Sequence, residues 1–196
     1  MCNMCGDGLR FFGLAEPQSA MLKSYSDALR RGWSPNTTKD VSREELAAIE
    51  SDPAAFLAGL AASDGTVTLA GGTSVPHLPS VLYWMWDGEF CGSINLRYQP
   101  GTDDLPPYIA GHIGYAVVPW KQRHGYASRA LREMLDDAAW RGLTKVSLTA
   151  GPDNPASRRV IERNGGVRAG TWSHPSLLDG APRECWTIDL VNRAGR

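Results

Sequence analysis

The residues best suited to chemistry lie in Gly111–Ser128, which reads GHIGYAVVPWKQRHGYAS. A predicted strand ends at Val118-Pro119, a short basic loop follows, and Gly125 opens a long predicted helix. The first turn of a helix has unpaired N–H groups and a partial positive charge, so a pyrophosphate would fit there. Lys121 and Arg123 would add charge-assisted contacts, and Gly125 would let the backbone approach the ligand. An ordinary strand–loop–helix junction explains the same residues, because the glycine patterns of P-loops and dinucleotide folds are missing.

A second polar cluster follows the next predicted strand. Asn154 is a good helix N-cap, and Pro155 suits the first helical position. The helix should run to Asn164 and end at Gly165-Gly166. Capping alone would explain Asn154, although a capping side chain keeps one polar group free to reach outward.

Both clusters resemble motifs of one family. Gln122-x-x-Gly125-x-Ala127 is similar to the Q/R-x-x-G-x-G/A signature of the GNAT superfamily of N-acetyltransferases, which use acetyl-CoA. Val118-Pro119 precedes it at the family's spacing, and the run from Asn154 to Gly166 resembles the second motif. The resemblance covers about residues 80–191 and extends to a bacterial subgroup of predicted acetyltransferases.

The resemblance implies a fold and a binding site for acetyl-CoA. The fold would be α+β (mixed α/β), a single domain whose mostly antiparallel, twisted sheet is flanked by helices. Its central strands, Gly111–Val118 and Lys145–Ala150, would splay apart. The pantetheine arm would pair with the backbone of Ala116 and Val118 as an added strand. Pyrophosphate and arm would further contact the following residues: Gln122, Arg123, His124, Gly125, Tyr126, Ala127, Ser128, Asn154 and Ser157.

The implied reaction is direct attack of an amine on the thioester in a ternary complex. A general base would help, because an ammonium of pKa about 10.4 is rarely neutral at pH 7. Relatives often carry a glutamate where this chain has His112, so His112 is the candidate base and Glu89 a weaker one. The tyrosine that often serves as the acid is replaced by Ile161. The backbone N–H of Val118 would bind the oxyanion.

The acceptor is not named by the sequence. Asn95 and Arg97 alternate on one face of a strand, and one of them would point into the acceptor cleft. An arginine there would favour a carboxylate-bearing amine, whether a small molecule or a peptide. The aromatic residues nearby are better explained by core packing.

Composition narrows the partners. The chain has 196 residues and a net charge of -1, which argues against nucleic acid and against an anionic membrane. No apolar run is long enough to span a bilayer, and the start lacks the pattern of a secretory signal, so the cytosol is the expected location. A lone CxxC, Cys2 and Cys5, lies in a predicted frayed tail over residues 1–8, and no metal site is expected. Residues 9–196 would form the domain, as a monomer or homodimer.

The elements that must position these groups can be read from the patterns. Leu9–Leu14 favours a strand, Pro17 opens a helix, and Ser42 with Glu45 would form a capping box for a second helix that Pro53 splits. Residues 65–79 are predicted to be a loop. Asp87-Gly88 between apolar runs indicates a hairpin. The other predicted strands are Tyr108–Val118, Val146–Ala150, Val167–Trp172 and Glu184–Val191. The helix that opens at Gly125 has apolar residues at helical spacing from Ala127 to Ala138, and Arg141-Gly142 should end it.

Two other classes of function stay open. The missing tyrosine and the unassigned base favour a non-catalytic acyl-CoA-binding sensor on the same fold. An interaction module that uses the aromatic hairpin is the third reading.

Overall fold

The computed structural model describes residues 12–36, 39–62, 66–68, 72, 74–173 and 181–191. The predicted tail over residues 1–8, with Cys2 and Cys5, lies outside these ranges. Within them, no helix has the length and apolar character needed to cross a membrane.

Helices and strands alternate in the order that the sequence predicts for the second half of the chain. In the described ranges the α-helices are α1 Leu22–Arg30, α2 Ser42–Ser51, α3 Pro53–Ala61, α4 Tyr126–Trp140 and α5 Pro155–Arg163. The strands are β1 Gly13–Ala15, β2 Thr66–Thr68, β3 Ser74–Pro76, β4 Ser80–Trp86, β5 Phe90–Arg97, β6 Ile113–Val117, β7 Lys145–Ala150, β8 Val167–Trp172 and β9 Arg183–Asp189.

Two antiparallel sheets form the centre of the fold. Four strands pair in the order β1-β4-β5-β6, and three pair in the order β7-β9-β8. One face of both sheets packs on α4, whose apolar residues recur at helical spacing and join a core with Ile94, Leu148 and Ile161. The opposite face of the first sheet is covered by α1 to α3 around Tyr25 and Trp84, whose rings stack at 4.4 Å. The predicted α+β class with an antiparallel sheet flanked by helices is confirmed.

Some predicted element bounds differ from the structure. The strand expected over Tyr108–Val118 is regular only over Ile113–Val117, because Ile109 donates its N–H to Pro106 O in a turn at 2.9 Å. The segment 65–79, predicted to be a loop, contains the short β2–β3 pair. Pro53 does split the second helical stretch, and Asp52 caps α3 by accepting the N–H groups of residues 54 and 55.

The predicted capping box at Ser42 does not form. Val41 occupies the N-cap position of α2, and the N–H of Ser42 donates to Asp40 Oδ1 at 2.9 Å. Glu45 instead accepts the hydroxyl of Tyr25 from α1. The local pattern predicts that the Glu45 carboxylate caps α2, but in the structure this carboxylate accepts a tertiary hydrogen bond from the buried Tyr25.

The two sheets meet at one point and then diverge. His112 donates its backbone N–H to Ser147 O at 2.8 Å, and Ser147 donates its N–H to His112 Nδ1 at 2.9 Å. The imidazole therefore takes the place of the next backbone rung between β6 and β7. Gly111 permits this approach, because a Cβ there would lie 3.1 Å from Leu148 Cα. The expected splay between the two strands thus begins at His112.

His112 is neutral in this setting. Its side chain is buried, and Nδ1 accepts the N–H of Ser147, so the ring proton resides on Nε2. Burial lowers the pKa of His112 to about 4, and the cations Arg97 and Lys145 add to the shift while Asp103 opposes it.

We predict that this histidine makes the protein acid-sensitive. A histidine with a pKa near 6.5 unfolded and about 4 folded favours the folded state above pH 6.5, and this contribution falls as the pH drops from about 6.5 towards 4. In His112→Gln, an amide oxygen can still accept the N–H of Ser147 but does not titrate. Urea unfolding at pH 7.5 and pH 5 should show a smaller pH dependence for the variant. If the free energy of unfolding depends on pH equally in the wild type and the variant, other groups cause the loss of stability at low pH.

Candidate functional site

The loop between β6 and α4 has a backbone shaped to receive an anion. Arg123 and Gly125 both adopt left-handed conformations, with φ of 66° and 80°. Gly125 provides no side-chain cap to α4, and the first helical bond is Arg129 N–H to Gly125 O at 3.0 Å. The N–H groups of residues 126–128 therefore have no acceptor from the preceding turn. Left-handed turns next to such a helix end are typical of anion-binding backbone.

The side chains of this loop are mostly exposed. Residues 122–125 are exposed, and residues 126–128 are partly buried. Gln122 Nε2 donates to Val117 O at 3.3 Å, and His124 Nδ1 donates to Gln122 O at 2.8 Å. These bonds tie the side chains of Gln122 and His124 to carbonyl groups at the start of the loop.

Asp87, in the turn between β4 and β5, binds the two ends of the loop through Lys121 and Tyr126. Lys121 Nζ lies 2.9 Å from both carboxylate oxygens of Asp87 and 3.1 Å from Glu89 Oε2. The hydroxyl of Tyr126 donates to the same Asp87. Burial alone would raise the pKa of Asp87, but the hydrogen bonds from Tyr126 and Lys121 lower it to about 2. Lys121 is therefore a buried anchor, which corrects its expected contact with a phosphate.

Beyond His112 the strands β6 and β7 diverge and leave a cleft between them. The register of β6 against β5 determines which peptide groups of β6 face this cleft. Arg97 N–H donates to His112 O at 2.9 Å, and Val118 N–H donates to Cys91 O at 3.0 Å. Because backbone groups alternate along a strand, residues 114, 116 and 118 direct theirs at β5. The peptide groups of Tyr115 and Val117 point the other way, towards the cleft between β6 and β7.

This geometry corrects two expectations. The predicted oxyanion donor, the N–H of Val118, already has Cys91 O as its acceptor. The predicted pairing partners of the pantetheine arm, Ala116 and Val118, direct their backbone at β5. The strand edge next to the cleft is therefore offset by one residue from the sequence prediction.

Residues of α5 meet β6 across the cleft. The hydroxyl of Tyr115 lies 2.9 Å from Ser157 Oγ. Asn154 Oδ1 accepts the N–H of Ser157 at 3.0 Å, so Asn154 is the N-cap of α5 as expected. The structure thus brings Asn154, Ser157 and β6 to the same cleft.

A second cluster of polar side chains lies on the face of the sheets that points away from α4. His112 and Ser147 lie on this face, together with Asn95 and Arg97 of β5. A cavity of about 270 Å³ lies beside Ser147, and its other lining residues are 103–107, 109–111, Lys145, Thr149, Trp172 and Cys185. The helix-side cleft and this cavity therefore approach the junction of the sheets from opposite faces.

The remaining candidates for acid–base chemistry are accounted for by packing or by ion pairs. Ile161 is fully buried in the core. The Glu89 side chain is 66% exposed and contacts Lys121 at the hairpin turn. His112 has its Nδ1 occupied by the N–H of Ser147.

Three residues of the site are not predicted from the sequence: Asp87, Tyr115 and Ser147. The sequence predicts Asp87 only as part of a hairpin turn, and nothing local links it to Lys121. Tyr115 could have been found, because strict alternation in GHIGYAV places it opposite in orientation to His112. Ser147 is 35 residues from His112, and no pattern connects them.

The comparisons with known proteins agree on one family. A sequence model described as the acetyltransferase (GNAT) family matches residues 21–166. No sequence among curated proteins matches significantly.

Solved structures with similar folds share few residues with this chain. Mycobacterium smegmatis RimJ in complex with CoA-disulfide superposes with a TM-score of 0.64 at 22% identity, covering 93% of this chain and 87% of RimJ. The ribosomal L7/L12 α-N-protein acetyltransferase RimL, with bound coenzyme A, has a TM-score of 0.59 at 15% identity, with 92% and 94% covered. A chimera of spermidine N-acetyltransferase SpeG from Vibrio cholerae and hSSAT has a TM-score of 0.57 at 14% identity, with 94% and 99% covered. At such identities the likeness concerns the fold.

We predict that Asp87→Asn destabilises the protein by about 3–5 kcal/mol, because it leaves the buried Lys121 ammonium without its main partner. Glu89→Gln is the matched control, since it removes an exposed carboxylate from the same lysine and should cost about 1 kcal/mol or less. Chemical unfolding at pH 7 measures both. Similar losses for the two variants would contradict the anchoring role of Asp87.

Proposed function

The chain belongs to the GNAT family of acetyltransferases, and from this premise we propose that it transfers the acetyl group of acetyl-CoA to a primary amine by direct attack in a ternary complex. One observation carries the proposal: the uncapped start of α4, with left-handed Arg123 and Gly125 before it, opens beside the cleft between β6 and β7. A pyrophosphate at this helix end and an extended arm in the cleft fit that arrangement.

The pyrophosphate is assigned to the N–H groups of residues 123–128. Their partial charges and the helix dipole favour an anion. Arg123 is exposed next to them and supplies a charge-assisted contact, whereas Lys121 is committed to Asp87. The Lys121–Asp87 ion pair then acts indirectly, because it fixes the loop and Tyr126 in place before the pyrophosphate binds.

The pantetheine arm is assigned to the cleft edge of β6. The peptide groups of Tyr115 and Val117 pair with its amides, Val117 O using the lone pair that its contact with Gln122 Nε2 leaves. Asn154 and Ser157 face the arm from α5. Tyr115 lies nearer the junction of the sheets than Val117 does, so its N–H is our candidate donor to the thioester oxygen. The hydroxyl of Tyr115 exchanges its contact with Ser157 for one with the arm.

In the proposed reaction the amine nitrogen attacks the thioester carbon, a C–N bond forms and the C–S bond breaks. The CoA thiolate leaves with the electron pair, and a thiol pKa of about 8.5 makes it a tolerable leaving group without an acid from α5. The amine must lose a proton before or during attack. Since Nδ1 of His112 accepts the N–H of Ser147, we propose that water takes this proton and that His112 holds the sheets together.

A non-catalytic acyl-CoA sensor is the second candidate. Ile161, at the position where relatives carry the acid, is fully buried, and the His112 nitrogen that could accept a proton has a donor already. Release of free CoA in the presence of an amine separates the two functions, because a sensor binds acetyl-CoA without turnover.

We predict that Gly125→Asp raises the Kd for acetyl-CoA at least 100-fold and abolishes amine-dependent release of CoA. The substitution puts a carboxylate where the pyrophosphate would bind and strains a left-handed residue. Gly142→Asp is the matched control, since Gly142 has φ of 90° and open space at the other end of α4. Titration calorimetry and a thiol assay give the two readouts. Equal Kd values for both variants would contradict the proposed pyrophosphate site.

The pH profile tests the proton acceptor. If water removes the proton, kcat/KM for an amine should keep rising with pH towards the pKa of that amine, and acceptors of lower pKa should level off earlier. A plateau that begins just above the folded-state pKa of His112, which is about 4, and that His112→Gln removes would restore His112 as the general base.

A further inference from the structure

Arg97 is a partly buried cation that forms no ion pair with any of the described residues. It lies on β5, its guanidinium is largely enclosed, and burial lowers its pKa. Within the part of the chain that is described, its Nε makes no hydrogen bond. Burying an uncompensated charge is costly, so proteins rarely keep one without a use.

The guanidinium is held in a defined position. With the Asn95 amide oriented to satisfy both neighbours, Asn95 Oδ1 accepts from Arg97 Nη2 at 3.0 Å and its nitrogen donates to Gly114 O at 2.9 Å. A Cβ at Gly114 would lie 3.2 Å from Arg97 Nη2, so the glycine makes room for this arrangement. Asn95 and Gly114 thus position Arg97 and leave most of its N–H groups for another partner.

The position excludes the phosphates of acetyl-CoA as that partner. Arg97 pairs with His112, whereas the loop that would bind the pyrophosphate follows Val117, which pairs with Gly92. Five strand residues separate these points, which is about 17 Å. Arg97 also lies on the face opposite α4, because side chains alternate along β5 and its neighbours Ile94 and Leu96 pack in the core with α4. Ser147, which is hydrogen-bonded to His112, lines the cavity described above.

We propose that Arg97 binds a carboxylate of the acceptor, so that the substrate class is an amine that also carries a carboxylate, such as an amino acid or a peptide. This inference rests on the proposed acetyl transfer. A guanidinium pairs with a carboxylate through two parallel hydrogen bonds, and one positive charge balances one negative charge. The amine of such an acceptor would point to the junction at His112, where the thioester is expected.

The experiment compares acceptors that differ only in the carboxylate. Amino acids and short peptides are paired with their carboxamides, and free CoA is followed. The wild type should prefer the carboxylate by at least about 10-fold in kcat/KM. Arg97→Gln should remove that preference through acceptor KM, while KM for acetyl-CoA stays within twofold. Arg132→Gln, an exposed arginine of α4, is the control. No preference in the wild type, a preference for phosphorylated amines, or equal effects on both substrates would overturn the proposal.

Stability separates a binding role from a structural one. If Arg97 has no counter-charge in the free protein, Arg97→Met should raise Tm, by about 2–4 °C for each kcal/mol recovered. A structural ion pair would make the same substitution lower Tm, which would overturn the proposal.

Failure of the proposed function gives a different result. If acetyl-CoA binds but no amine releases CoA, acetyl transfer fails while Arg97 is still tested by calorimetry with the amino acid panel and the acetyl-CoA-loaded protein. Carboxylate binding that Arg97→Gln abolishes would support the inference, and no binding of any carboxylate would overturn it.

Discussion

The whole arrangement depends on one contact between two sheets, the pair of hydrogen bonds between His112 and Ser147. A backbone rung there would let β6 and β7 continue side by side. An imidazole in place of the rung ends the pairing, and beyond it the strands must separate. The cleft on the helix side and the cavity on the other face both lie next to this contact, so a neutral, buried histidine determines where the two openings approach each other.

A second constraint fixes the far end of the cleft. Asp87, from the turn between β4 and β5, gathers Lys121 and Tyr126 from the loop and from α4. These contacts fix the loop backbone where its left-handed residues precede the uncapped end of α4. The two ends of β6 are therefore set independently, one by an imidazole between the sheets and one by a buried ion pair.

Much of the fold could be predicted because its signals are local. The N-cap at Asn154, the hairpin around Asp87-Gly88 and the apolar repeat of α4 all depend on neighbours a few residues away. The errors have a different cause. Glu45 bonds to Tyr25 instead of capping α2, and the N–H of Val118 bonds to Cys91 O of β5. In both cases a partner distant in the chain replaces the one that the local pattern predicts.

The sequence by itself determined the class of protein and the cofactor motif, since the spacing from Gln122 to Ala127 and from Asn154 to Gly166 is a property of single helices and their ends. Only the tertiary structure decided which groups are available for chemistry. His112, Lys121 and Val118 have suitable types, yet each has a partner from another element. Arg97 differs from them, because among the described residues the fold partly encloses its charge and holds it with the amide of Asn95 and with no ion pair. Availability depends on contacts between distant strands, which residue spacing does not encode.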